Sequence, residues 1–201
     1  PIYVGYMYGN PEGTTFDEVH DNINDSTIKI TLDNWYKTNI VDKSYSSYIS
    51  NSTGFCGDRT LYRGDGISTD KNSYFGAYGR KEKDIAQFTC PEPSRDLYTI
   101  TGSDIGNKAL TYPVGLITYD ELVFAGMDNK HINKLSWVYS TQSYISMSPS
   151  LFGATSKVAD VWNQYFDGSL SSWNVTANHN TRPVINLKSD VKISGGIGTS
   201  N

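Results

Sequence analysis

From about residue 42 to residue 107 the chain shows neither a helical nor a strand period, and is rich instead in Ser, Gly, Asp, Asn and Tyr. A structureless connection of that size is improbable inside a compact domain. Any fold built by this sequence must therefore hold a long, loop-dominated insertion in place without a regular apolar stripe. The chain's two cysteines, Cys56 and Cys90, both lie within it. They could be two free thiols of a cytosolic protein or one disulfide of an exported one, and with no second pair they cannot complete a tetrahedral zinc site. The disulfide is favoured, because a closed loop of this kind contributes about 3–4 kcal/mol in the chain-entropy view and would explain how the insertion stays ordered. It also implies an oxidising compartment. Within the insertion only short strands are expected, for example around Tyr74 to Tyr78.

The flanks carry clearer periods. Ile2 to Tyr8 alternates large and small residues and reads as a strand closed by the turn Asn10-Pro11-Glu12-Gly13. Two helical segments follow. In the better one Asn24-Asp25-Ser26 supplies the cap, and Ile28, Leu32, Trp35 and Tyr36 share one face at i, i+4, i+7 and i+8. Lys37 near its end suits the helix dipole. Thr118 stands three residues before Glu121 as a capping box, with Ile117 and Leu122 as a hydrophobic staple and Gly126 as the stop. The last third reads as strands at Trp137 to Tyr139, Tyr144 to Met147, Val158 to Phe166, Ser172 to Thr176, Pro183 to Leu187 and Val191 to Ile193. Asp167-Gly168 is a hairpin signal between two of them. Helices first and an antiparallel sheet after imply a single α+β domain over residues 1–201.

At 201 residues with a net charge of −4, the chain has the wrong sign of charge for a nucleic-acid footprint, which needs clustered Lys and Arg. No run approaches the roughly 18 apolar residues of a membrane helix. Pro1 to Asn10 lacks the layout of a signal peptide, so an export signal or anchor is expected outside these residues. Fifteen tyrosines among abundant Ser, Thr and Asn form a palette suited to binding surfaces, where Tyr gives stiff contact area and Ser and Asn adaptable hydrogen bonds.

Chemistry finds little support. His20, His131 and His179 have no metal-ligand spacing and read as surface or cap residues. No serine sits in a Gly-x-Ser-x-Gly elbow. Gly195-Gly196-Ile197-Gly198 imitates part of a dinucleotide loop without a following helix. Arg63-Gly64-Asp65, the tripeptide of integrin ligands, reads as a plain polar turn. Asp17-Glu18 and Asp120-Glu121 sit at helix starts, where they complement the dipole. Asp58, Asp65 and Asp70 offer carboxylates to a calcium ion but lack the alternation of a dedicated loop. No cofactor is expected, and calcium is the one metal left open.

What remains is the aromatic-rich stretch from Trp137 to His179. Strand alternation sends Val158, Asp160, Trp162, Gln164 and Phe166 to one face, and Ala159, Val161, Asn163 and Tyr165 to the other. The expected contact face comprises Tyr139, Tyr144, Ser146, Asn163, Tyr165, Trp173, Asn174, Asn178, His179 and Asn180, with Trp162 and Phe166 as core.

Tyr112-Pro113-Val114-Gly115-Leu116-Ile117-Thr118-Tyr119-Asp120-Glu121, Met147-Ser148-Pro149-Ser150, the frame Trp162, Phe166, Asp167-Gly168, and Arg182-Pro183-Val184-Ile185-Asn186-Leu187 together resemble a bacterial C-type-lectin-like fold. The branch is the one shared with formylglycine-generating enzymes. Asn24-Asp25-Ser26-Thr27-Ile28-Lys29, Trp35-Tyr36, Phe55-Cys56 and Gly195-Gly196 extend the likeness to surface and pilin-like proteins of Gram-positive bacteria. Tyr144 to Thr181 is similar to the variable segment of diversity-generating-retroelement proteins. The resemblance implies helices packed on a twisted antiparallel sheet, with irregular loops displaying a ligand site. The enzymology does not carry over, because no cysteine follows Cys90 where formylglycine-generating enzymes place a pair. Glu92-Pro93-Ser94 and Trp173-Asn174-Val175 only echo the calcium motifs of sugar-binding lectins. The resulting expectation is a non-enzymatic extracellular adhesion module at a bacterial cell surface, contacting a protein or glycan on another cell or surface and able to self-assemble through a longer parent chain. A structural pilin-like domain and a formylglycine-generating-type enzyme are the alternatives.

Overall fold

A computed structural model describes residues 8–9, 13–67, 70–156, 158–192 and 195. Most of the expected first strand and its turn, and of the Gly195 to Gly198 run, lies outside the described residues.

Strand β1 (Tyr8–Gly9) pairs antiparallel with β2 (Asn24–Asp25). Between them α1 (Phe16–Val19) starts on a capping box: Glu18 N–H donates to the Thr15 hydroxyl, and the Glu18 carboxylate accepts from Thr15 N–H. Helix α2 (Thr27–Tyr36) begins where its cap predicts, with Ser26 Oγ accepting from Lys29 N–H at 3.1 Å. Rather than stopping at Lys37 it widens into a π-helical turn, Lys37–Val41, and the Lys37 ammonium pairs with Asp42. Leu32, Tyr36 and Ile40 face the core on a continuous i, i+4, i+8 stripe, each stabilising on the order of 2 kcal/mol by burial.

A single-turn 3-10 helix, Ser46–Tyr48, leads into the insertion, which is more structured than its sequence suggests. It contributes β3 (Phe55–Cys56), β4 (Leu61–Arg63), β5 (Ser73–Phe75), α3 (Gly76–Lys83), α4 (Pro93–Asp96) and β6 (Leu97–Tyr98), with β3 paired antiparallel to β6. The strand expected at Tyr74 to Tyr78 gives way to helix at Gly76. Cys56 and Cys90 form a disulfide across 34 residues.

Helix α5 (Tyr119–Phe124) carries the complete capping box, with Thr118 Oγ1 accepting from Glu121 N–H and the Glu121 carboxylate accepting from Thr118 N–H. Ile117 and Leu122 are both buried in one cluster, and Gly126 takes φ +86° at the stop. Strands β7 (Tyr144–Gly153), β8 (Val158–Gln164) and β9 (Leu170–Asn174) join β4 and β5 in an antiparallel sheet of order β4-β5-β7-β8-β9. Two of its five strands thus come from the insertion. Trp137 to Tyr139 is a turn, not a strand. Pro183 to Leu187 forms only isolated bridges, Gly115 with Val184 and Ile49 with Leu187, and residues 191–192 add no strand. Pro183 has no N–H to give a ladder. Gly115 is required at its bridge, since a Cβ there would sit 2.5 Å from the buried Phe55 ring.

The sheet is covered on both faces. Ile145, Met147 and Val161 pack with Leu32, Tyr36, Phe55 and Tyr98, whereas Tyr144, Trp162 and Leu170 pack with α3 and α5. Trp162 lies between Tyr119 and Tyr78, at ring-centroid distances of 4.7 and 6.3 Å. Small serines on β7 let the helices approach, and Ser148 Oγ accepts the N–H of Tyr119 in the first turn of α5 at 2.9 Å.

Candidate functional site

The β8–β9 hairpin ends the sheet, and its turn packs on the 128–134 loop, with Asn133 N–H donating to Gly168 O and Leu170 N–H to Asp128 O. At its turn Gly168 adopts φ +94°, Gly168 N–H donates to Tyr165 O, and the Asp167 carboxylate accepts from Ser169 N–H and Oγ–H. Those Ser169 bonds hold the Asp167 pKa below its ordinary value. Beyond this turn chemistry the hairpin exposes aromatics. Tyr165 stacks on Trp173 at 5.6 Å and 24°, Trp173 meets His179 edge-on at 6.4 Å, and Phe166 lies 4.4 Å from Tyr165. Trp173 is 41% exposed and Phe166 52%.

The polar rim is ordered by short bonds. His179 Nε2 lies 2.6 Å from the Asn174 carbonyl, and Asn174 Oδ1 accepts from Thr176 N–H and Oγ–H. Asn180 donates from its side-chain amide to Ser143 O and bridges Tyr144. The Tyr139 hydroxyl donates to Phe166 O at 3.2 Å. Asn178 is exposed. The structure therefore brings Tyr165, Trp173, Asn174 and His179 together at the edge strand β9, whereas Tyr139 reaches the β8–β9 turn through Phe166 and Asn180 lies beside the interior strand β7.

Three expected contact residues do not belong to a surface. Tyr144, Ser146 and Asn163 are buried. Tyr144 donates its hydroxyl to Val138 O in the core, and Ser146 Oγ accepts from Ser148 N–H. Asn163 lies on the face that alternation assigned to solvent, but that face is covered. Phe166, expected in the core, is exposed, because β8 ends at Gln164 and the strand period no longer applies beyond it.

Other motifs resolve differently. Arg63-Gly64-Asp65 is exposed at the end of β4, with Gly64 at φ +88° and the Arg63 guanidinium over the Tyr62 and Tyr74 rings at 5.2 and 5.1 Å. Asp58 is buried and committed to Arg80 and Thr60, so it does not join Asp65 and Asp70 in a calcium cradle. Among the described residues no group of three or more His, Cys, Asp or Glu side chains is arranged to hold a metal ion. His131 is exposed beside Asp128, whereas His20 is the C-cap of α1, as the cap reading allows, and is fully buried.

Sequence patterning missed the buried ions. Arg80 on α3 donates from Nε and Nη2 to the two oxygens of Asp120, both at 2.7 Å, and from Nη1 to Asp58 at 2.6 Å. Burial alone would lower the Arg80 pKa, but the two carboxylates outweigh it and hold it up. A cavity of about 110 Å³ beside this cluster is also lined by Cys56, Phe88 and Ser148. With all three guanidinium nitrogens engaged, the arrangement is a joint locking the insertion to α5. In a second network Asp96 accepts from Arg59 Nε at 2.8 Å and from Arg95, which keeps it ionised against the cost of burial. Lys29 is buried between Asp25 and Asp33, one helical turn to either side. That Asp-Lys-Asp spacing was a readable signal; the two arginine clusters are nonlocal and had none.

Comparison with family models, curated proteins and solved structures finds no match. Among the described residues no helix is long and apolar enough to cross a membrane.

Proposed function

We propose that the chain is a non-enzymatic, extracellular ligand-binding or adhesion module of C-type-lectin-like architecture, whose contact face is the exposed end of the β8–β9 hairpin with the loop 174–180. The observation that carries this reading is the aromatic set in which Tyr165 stacks on the exposed Trp173 and His179 meets it edge-on, with Asn174 beside it and the exposed Asn178 in the loop that follows. Stiff aromatic area edged by amides suits a protein strand or a glycan, which both offer apolar faces bordered by hydrogen-bonding groups. The architecture is supported by the ordered motifs from Tyr112 to Leu187, together with an α+β chain whose loop-rich insertion is closed by a disulfide. The disulfide also favours an exported protein. Both cysteines are spent in it, which leaves no thiol pair for a catalyst of the formylglycine-generating type.

A glycan and protein array tests the reading with wild type and with a Tyr165→Ser, Trp173→Ser double variant of unchanged thermal stability. Specific signals that the double variant loses are expected. Signals that survive both substitutions would move the contact face elsewhere, and a wild type that binds nothing would favour a structural, surface-assembly role.

A further inference from the structure

A second concavity, separate from the hairpin face, opens where the end of α5, the turn at 136–139 and the segment 182–185 meet. It encloses about 480 Å³, within the roughly 300–1,000 Å³ of small-molecule sites. The buried Ile117 and Val138, the half-buried Val184 and the rings of Phe124 and Trp137 as walls line it. These two rings are 76% and 66% exposed, an unusual investment of large apolar surface in a position facing water.

Both walls are held in place. Phe124 meets Phe88 edge-on at 5.0 Å, and Phe88 lies two residues before the disulfide-bonded Cys90. The turn bearing Trp137 is fixed by Ser136 Oγ–H donating to Ala125 O at 2.7 Å, and the adjacent Val138 carbonyl accepts from both Tyr144 Oη and Arg182 Nη1. A cleft so braced needs little reorganisation to receive a ligand.

The two charged groups at its edge differ in how far they are committed. The Glu121 carboxylate is engaged through Oε2, which accepts from Thr118 N–H at 2.8 Å and from Thr118 Oγ1 at 3.0 Å in the capping box. Arg182 donates Nη1 to Val138 O at 2.8 Å and lies over the Tyr144 ring at 5.5 Å. Among the described residues no carboxylate pairs with it, unlike Arg59, Arg80 and Arg95. A guanidinium fork at the mouth of an apolar cleft recognises a carboxylate by paired N–H donors.

We infer that this cleft binds a small hydrophobic carboxylate, its ring or chain lying between Phe124 and Trp137 and its acid group on Arg182. The test is an amide-resolved NMR titration of the whole chain with naphthalene-2-carboxylate and, in parallel, with its uncharged carboxamide. Shifts are expected at residues 117–124, 136–138 and 182–185, with the acid binding about tenfold more tightly than the amide. Arg182→Gln should abolish that preference, and Phe124→Ser, at an exposed position, should weaken both ligands. Equal affinity of wild type for acid and amide would overturn the inference, and this comparison needs no substitution. Shifts confined to other surfaces, or no binding of either probe up to about 5 mM, would overturn it equally.

Discussion

His20 makes the stability of this protein depend on pH in a window set by its burial. Its ring is enclosed between Phe16, with centroids 4.2 Å apart, and Phe75 at 5.9 Å. Nδ1 lies 2.8 Å from the Phe16 carbonyl, while Nε2 is buried without a partner. Burial pushes the imidazole pKa from the ordinary 6.5 down to about 4; the Phe16 carbonyl and Asp96 oppose this, and the Arg59 and Arg95 charges add to it. The neutral ring is therefore the native form. As pH falls below 6.5 the unfolded chain takes up a proton that the folded chain refuses until about 4. Stability is thus complete above that window and is lost through it, by about 3 kcal/mol in total. Urea denaturation between pH 7.5 and 4 should show this slope in wild type. His20→Asn, which can still donate to the Phe16 carbonyl but does not titrate, should start less stable and show a shallower slope between pH 6.5 and 5. Asp96, held low by its arginines, contributes only at more acid pH, so the two effects separate. Parallel profiles for wild type and variant, or an NMR titration placing the His20 pKa above 6, would refute the reasoning.

Two further outcomes follow from the buried ions and the staple. Arg80→Met leaves Asp58 and Asp120 buried without their cation and should cost about 3–5 kcal/mol in urea denaturation, whereas Lys81→Met on the partly exposed side of α3 should cost less than about 1 kcal/mol. Replacing Cys56 and Cys90 together by serine should lower stability by about 4 kcal/mol for a loop of this length. Wild type in reductant should match the serine variant, which a pair of denaturation curves will check.

Local chemistry was legible in the sequence where it is written locally. The capping box at Thr118, the Ser26 cap with its stripe, the Asp167-Gly168 turn and the cysteine pair all appear in the structure because each depends on neighbours within a few residues or on a covalent bond. Helix α3 was not legible. Its Gly76 and Gly79 lower helix propensity, but Gly79 lets Tyr62 pack closely and Arg80 anchors the helix to residues 22 and 40 positions away. The contact face was half legible for a related reason. Alternation separates two faces of a strand without telling whether a second layer covers the outer one, and here both faces of β7 and β8 are covered. Tyr144, Ser146 and Asn163 therefore went inside, while Trp173, on the edge strand β9, stayed out with Tyr165 half-buried against it. Phe124 and Trp137 carried no signal beyond being large and apolar at an element end.

Enclosure of β7 and β8 on both sides also divides the chain by tolerance to change. The strand positions 144–153 and 158–164 are constrained by packing against two layers at once, so a substitution there tests folding before it tests anything else. Positions 166, 173, 175, 176 and 178, in contrast, turn their side chains to solvent. A library randomised across those five positions should yield mostly folded proteins, making this surface a place where new specificities can be selected without rebuilding the scaffold.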